Sequence, residues 1–300
     1  MEVFSQIMVL MLLMLCGFVA KKRDWISEEG IKGLNQMVML FALPSLSFVK
    51  LQVDKDPKMM KDLMSTLLLG AALMLLFGLI AYNVFRKESP KRRAVFTGMA
   101  MFGNPAFMGF PLVAAAFGED MLIYGVMFVA AFNLLIWSAG VRLLVKDGAS
   151  LLSVLKIPSM VASILGLLFY LLGIRLPSVL NKTMEYLGSL TTPLALFVIG
   201  TSLTKLQPSA LKDKGLLLAC LLRLVITPLL ALAIMYFLPL SREVKIVTAL
   251  LVATPAAASF GIMVENYGGD APLSAQGIAF STLLSGLTIP VLLPLFLKAL

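Results

Sequence analysis

Charged residues are spaced along this chain so that long stretches carry none. Such stretches run from Val3 to Ala20, Gly33 to Val49, Leu63 to Phe85, Ala94 to Gly118 and Met121 to Val141. A second set runs from Ile157 to Ile174, Tyr186 to Thr204, Gly215 to Ser241 (interrupted by Arg223 alone), Ile246 to Val264 and Ala271 to Leu297. A helix needs about 20 apolar residues to cross a hydrocarbon core of about 30 Å, and the pattern supplies that unit ten times. The links between are too short to hold a soluble domain. The pattern therefore predicts an all-α membrane protein with ten transmembrane helices, forming one domain over residues 1–300.

The fourth stretch breaks its own pattern. MFGNPAFMGFPLVAAAFGED, Met101 to Asp120, places an asparagine, two prolines and three glycines where a straight membrane helix would carry leucine. Shifted by 150 residues it meets ATPAAASFGIMVENYGGD: Pro105 falls on Pro255, Phe110 on Phe260, Gly118 on Gly268 and Asp120 on Asp270. Pro44 lies 149 residues before Pro193, and Lys50-Leu51-Gln52 recurs as Lys205-Leu206-Gln207. These echoes divide the chain into two repeats, about 1–147 and about 151–300. Five helices per repeat is an odd number, so the second repeat enters the membrane from the opposite face. Inverted repeats of this kind, with interrupted helices at matching places (here spans 4 and 9), mark secondary transporters and point to a site near the midplane.

The prolines say why the helices break. Pro105, Pro111 and Pro255 donate no amide hydrogen and crowd the carbonyl four residues back. A freed backbone group costs several kcal/mol in hydrocarbon unless protein, water or ligand satisfies it. Breaks are therefore tolerated where they line a cavity. The N-terminal end of each second half carries about half a positive charge and free N–H donors, so two facing breaks suit an anion.

Composition narrows the field. Sixty per cent of the 300 residues are apolar and 14 per cent charged, outside the range of soluble proteins. The first span follows Glu2 and precedes Lys21, Lys22 and Arg23, the reverse of a signal peptide, and reads as a retained helix. Lys and Arg number 15 in the links after spans 1, 3, 5, 7 and 9, Lys146 and Lys156 included, against nine on the other side. The positive-inside rule then puts both termini outside the cytoplasm of a cell membrane. The net charge of +9 fits anchoring to anionic membrane lipid and calls for no nucleic acid. Cys16 and Cys220 read as small core residues, and no histidine is present. No metal-ligand cluster, cofactor motif or catalytic pair appears, so an intramembrane enzyme is disfavoured.

Among single residues, Asn104 stands out, because its amide offers two donors to a carboxylate. Thr254 is its repeat mate. An unpaired cation at membrane depth is a functional-site hypothesis by default. Arg223 either holds an anion, caps freed carbonyls or pairs within the bundle, and the sequence leaves these open. Glu265, about ten residues past Pro255, falls near the cytoplasmic interface, some 15 Å along the helix.

The motifs resemble a known family. GNPAFMGFPL resembles the fourth-helix pattern of the auxin efflux carrier family, with Asn104, Gly109, Pro111 and Leu112 on its marked positions. LNQMVMLFALPSLSF resembles the second helix, FNLLIWSAG the end of the fifth and TPAAASFGIMVENYGGD the ninth. The plant PIN-type carriers insert a large cytoplasmic loop between halves, whereas this link is about ten residues, as in a compact prokaryotic member. The resemblance implies a scaffold of helices 1, 2, 6 and 7 and a transport unit of helices 3–5 and 8–10. It implies elevator-like motion of a crossover formed by helices 4 and 9, and a homodimer through scaffold helices. It puts Asn104 at a substrate carboxylate, with Ser47 and Asn133 (glutamine in the plant carriers) as further substrate contacts. Small carboxylates such as malonate or malate are the implied substrates, auxin-like carboxylates being the wider class. A carboxylate sensor and a sodium-coupled symporter are the alternatives. With no histidine and only Glu265 as an acidic candidate, uncoupled transport is the favoured expectation.

Overall fold

The computed structural model describes residues 2–54, 56–145, 157–208 and 212–300. The short link between the halves, with Lys146 and Lys156, lies outside the described residues. Helix accounts for nearly all the regular structure. In chain order the helices are α1 (Glu2–Lys22), α2 (28–49), α3 (Pro57–Val84), α4 (Pro90–Met101), α5 (Pro105–Phe117) and α6 (Glu119–Leu144). Then come α7 (Pro158–Leu172), α8 (Ser178–Lys205), α9 (Lys214–Phe237), α10 (Arg242–Val252), α11 (Ala258–Asn266) and α12 (Ala271–Ala299). Among the described residues, five helices (α3, α6, α8, α9 and α12) are long and apolar enough to cross a bilayer unaided. The chain is a multi-pass membrane protein.

Local chemistry sets the helix ends. Asp56, Asp213 and Asp270 each precede a helix and accept a hydrogen bond from its first turn, at 2.9, 3.1 and 3.1 Å. Such caps satisfy N–H groups that have no partner within the helix. Inside the helices, prolines follow widened turns: Val38–Ala42 precedes Pro44, Pro105–Gly109 precedes Pro111 and Leu222–Ile226 precedes Pro228. A π-turn shifts the hydrogen-bond register by one residue, so the proline ring meets no carbonyl that needs its missing N–H.

Packing brings α1 along α8, where a β-carbon on Gly17 would lie 2.0 Å from Phe197 O and one on Gly200 1.9 Å from Met14 O. Only glycine lets these backbones touch. The second half of α2 packs on α7 and α8. On the other side, α3 lies against α4 and α6, α9 against α4, and α12 against α4, α9, α10 and α11. The start of α9 is tied to α4 by Arg92, which donates to Asp213 at 2.8 and 2.9 Å and to Glu88 at 2.9 Å. Exposed leucines such as Leu68, Leu79 and Leu287 cover the lipid-facing flanks. Of the two cysteines, Cys220 is buried as expected, but Cys16 is exposed. It faces outward from α1, where an apolar thiol is at home in lipid.

Candidate functional site at the paired helix interruptions

The helix expected to break at Asn104-Pro105 stops at Met101, runs extended through residues 102–104 and restarts at Pro105. Its counterpart stops at Val252 and restarts at Ala258. The two interruptions touch. Gly103 and Ala256 form an isolated antiparallel bridge, and the Ala257 amide donates to the Phe102 carbonyl at 3.0 Å. The Ala256 amide donates to Ser281 Oγ of α12 at 3.2 Å.

Arg223 reaches this junction from the widened turn of α9, and it is 2% exposed. Its Nε donates to Thr254 O at 2.8 Å, Nη1 to Ala100 O at 3.1 Å, and Nη2 to Val252 O. The acceptors are one carbonyl in the last turn of α4, the last carbonyl of α10 and one just beyond it. Each helix C-terminus carries about half a negative charge, so two of them balance one guanidinium. Leu251 O, the carbonyl that Pro255 frees, accepts Thr254 Oγ1 at 2.6 Å. Arginine suits this task because its planar fork offers five fixed donors and stays charged.

With the C-terminal ends neutralised, the N-terminal ends of α5 and α11 remain. They meet a cavity of about 50 Å³ lined by Phe107, Ala258 and Ser259 together with Asn35 and Ser202. This opens into a cleft of about 200 Å³ that shares Asn35, Val198, Ser202 and Ala258 and is rimmed by Lys21, Glu28, Lys205 and Glu265. The path thus leads from the junction to the end of the molecule where α1 ends and α2 begins. A larger cavity, about 440 Å³, lies at the other end, between Lys50, Pro111, Glu119 and Glu185. A Lys50–Glu119 ion pair of 2.8 Å bridges its rim.

The structure gathers Asn104, Pro105, Gly109, Thr254, Pro255 and Arg223 around the junction. Asn104 is 4% exposed, and its carbonyl accepts the amides of Met108 and Gly109 at 3.3 and 3.0 Å. Its side-chain amide makes no hydrogen bond to the described residues. Gly109 lets α5 approach α10, since a β-carbon there would lie 2.5 Å from Leu251 Cδ2. Pro111 sits a turn and a half further on and lines the far cavity. Ser47 and Asn133 line neither the junction nor the cleft. The Ser47 hydroxyl is fully buried with no hydrogen-bond partner among the described residues, and Asn133 Nδ2 donates to Ser159 Oγ of α7 at 3.2 Å.

Several residues at the site escape a reading of the sequence. Gly103 announces itself only by preceding Asn104. Ser281, Ser202 and Ser259 are small polar residues in apolar runs, which give no sign of the direction they face. Asn35 lies within the second-helix motif but off its proline. Away from the junction, Asp62 near the start of α3 is a carboxylate that the sequence does not mark as buried, and it is 8% exposed.

Comparison with known proteins adds a family and its relatives. The model of the family described as membrane transport protein matches residues 2–154 and again 148–293. An uncharacterized transporter of Methanocaldococcus jannaschii is 26% identical over 297 residues, 94% of this chain and 95% of the relative. One of Methanothermobacter thermautotrophicus is 28% identical, covering 95% of each. The uncharacterized transporter YfdV of Escherichia coli is 23% identical, covering 96% of this chain and 95% of its own.

Proposed function

Because this chain belongs to the membrane transport protein family, the auxin efflux carrier family of the motifs, and is a membrane transporter, we propose that its cargo is a small organic anion. The observation that carries the proposal is the division of charge at the junction. Arg223 neutralises the C-terminal ends of α4 and α10. The N-terminal ends of α5 and α11, together worth about one positive charge, face a cavity, and Asn104, whose side-chain amide bonds to no described residue, immediately precedes α5. One carboxylate completes that arrangement, and a second carboxylate reaches towards Lys21 and Lys205 in the cleft. Malonate and malate carry two such carboxylates.

The position of the cavities supports a reading of alternating access. Those at the junction and its cleft sit between α2 and α8 on one side and α5, α11 and α12 on the other. The packing of α1, α2, α7 and α8 on one another supports their role as a scaffold. The remaining helices form the transport unit, with α4–α5 and α10–α11 as crossover helices that move together in an elevator. Ten spans in two inverted repeats, both termini outside, and a homodimer through the scaffold complete the reading. Counterflow of labelled malonate or malate in proteoliposomes tests transport, and its absence alongside measurable binding identifies a sensor. Asn104→Ala is expected to weaken carboxylate binding by about 1.5–3 kcal/mol, the usual worth of a hydrogen bond to a charged group. Full affinity by calorimetry in a folded Asn104→Ala protein moves the pocket away from the junction.

A further inference from the structure

Away from the junction, an apolar groove of about 390 Å³ runs along the flank of α1 between the end of α8 and α12. Met11, Leu15 and Phe18 form one wall, Leu203 and Leu283 the others. Leu15 is 51% and Leu283 53% exposed, so the groove is open to the surroundings of the bundle. In a membrane those surroundings are acyl chains.

One end of the groove is basic. The Lys22 ammonium lies 5.5 Å from the centroid of the Phe18 ring, which itself lines the groove. Lys21 is paired with Glu28 at 2.7 Å. Among the described residues, Lys22 and Arg23 have no carboxylate within 4 Å. Trp25, 76% exposed, follows on the same segment, and tryptophan settles at the headgroup level of a bilayer. From Lys22 to Met11 the helix rises about 16 Å at 1.5 Å per residue, close to one leaflet of a core about 30 Å thick. Apolar body, basic head and length all fit one molecule.

We propose that this groove is a binding site for a single anionic phospholipid, with an acyl chain between α1 and α12 and its phosphate on Lys22 and Arg23. The site is separate from the junction and holds whether or not the cargo is a carboxylate. If the elevator operates, this lipid occupies a seam between its two parts.

Native mass spectrometry of the purified protein, titrated with phosphatidylglycerol or phosphatidylcholine of identical chains, tests it. One phosphatidylglycerol is expected to be retained in preference. Lys22→Gln with Arg23→Gln is expected to weaken that retention roughly 30-fold, about fivefold for each basic residue near an anionic phosphate, and to leave phosphatidylcholine unaffected. Leu283→Trp, which fills the groove and keeps both charges, is expected to displace the lipid. Leu15→Trp serves the same purpose from the opposite wall should the first variant misfold. Equal retention of the two lipids, or retention indifferent to the charge variants, overturns the proposal in favour of ordinary lipid solvation. A change of oligomeric mass in the tryptophan variants without loss of lipid overturns it in favour of a second copy of the chain.

Discussion

A β-carbon built on Gly103 would lie 2.2 Å from Arg223 Nη2 and 2.6 Å from Thr254 Oγ1. Alanine at this position therefore cannot coexist with the guanidinium where it is. Displacing it strips partners from Ala100, Val252 and Thr254, and each buried carbonyl left unpaired costs about 1–3 kcal/mol. Gly103→Ala is thus expected to lower the yield and melting temperature of detergent-purified protein severely, more than Asn104→Ala beside it. A normal melt would mean that Arg223 has another resting place. In the sequence, Arg223 is a cation without an obvious partner, for which anion binding, capping and pairing are all open. What decided among them was invisible, because every residue owns a carbonyl and the three accepting ones lie up to 123 positions away. Asn104 was legible for the opposite reason, since its side chain is conspicuous among apolar neighbours.

Elements were legible where charge ends and apolar runs begin. Proline positions foretold both interruptions, and the structure starts α5 on Pro105 itself. The widened turns ahead of Pro44 and Pro228 were not foreseen, because a π-turn depends on how the helix accommodates its own ring rather than on a periodicity. At the head of α9, Asp213 links local and tertiary structure: it caps Leu216 at 3.1 Å and holds Arg92. Partial burial alone would raise its pKa, but the hydrogen bonds from Arg92 and from the Leu216 amide prevail, and the carboxyl's pKa sits below its ordinary 3.8. A depressed folded value means the stabilisation is present above the unfolded one and fades as pH falls through the folded one. Asp213→Asn keeps a capping oxygen and loses the charge, so it is expected to cost about 1 kcal/mol or less at pH 7. Asp213→Ala should cost about 1 kcal/mol more through the lost cap. The gap in melting temperature between the parent and Asp213→Asn is expected to narrow as pH falls below about 3.8, the ordinary carboxylate value, and to close once pH lies below the depressed folded one. A gap that persists there would assign the effect to packing.

For the whole molecule, the repeat and the charge asymmetry together predict that the Glu119 and Asp270 ends face opposite sides. Cysteine at position 119 is expected to react with an impermeant maleimide on intact cells, and cysteine at position 270 only after permeabilisation, in a background lacking the exposed Cys16. Labelling of both from one side would end the inverted arrangement. The membrane class and its multi-pass character could be read directly, because hydrocarbon thickness imposes a length that sequence must meet. How the halves lock together could not. The Gly103–Ala256 bridge and the Ala257–Phe102 hydrogen bond are made by backbone groups alone, which leave no mark in composition.

Arg223 also orders events in time. Ribosomes deliver the chain from its N-terminus, so α4 and α5 enter the bilayer before α9 exists. Until then the Ala100 carbonyl lacks its guanidinium, and until residue 257 follows α10 the Phe102 carbonyl lacks the Ala257 amide. The first half of the polypeptide is an unfinished intermediate during synthesis, with open backbone groups that only water or an insertion partner can serve. A gene fragment ending before α9 is therefore expected to encode no working half-carrier unless the second half is supplied alongside it.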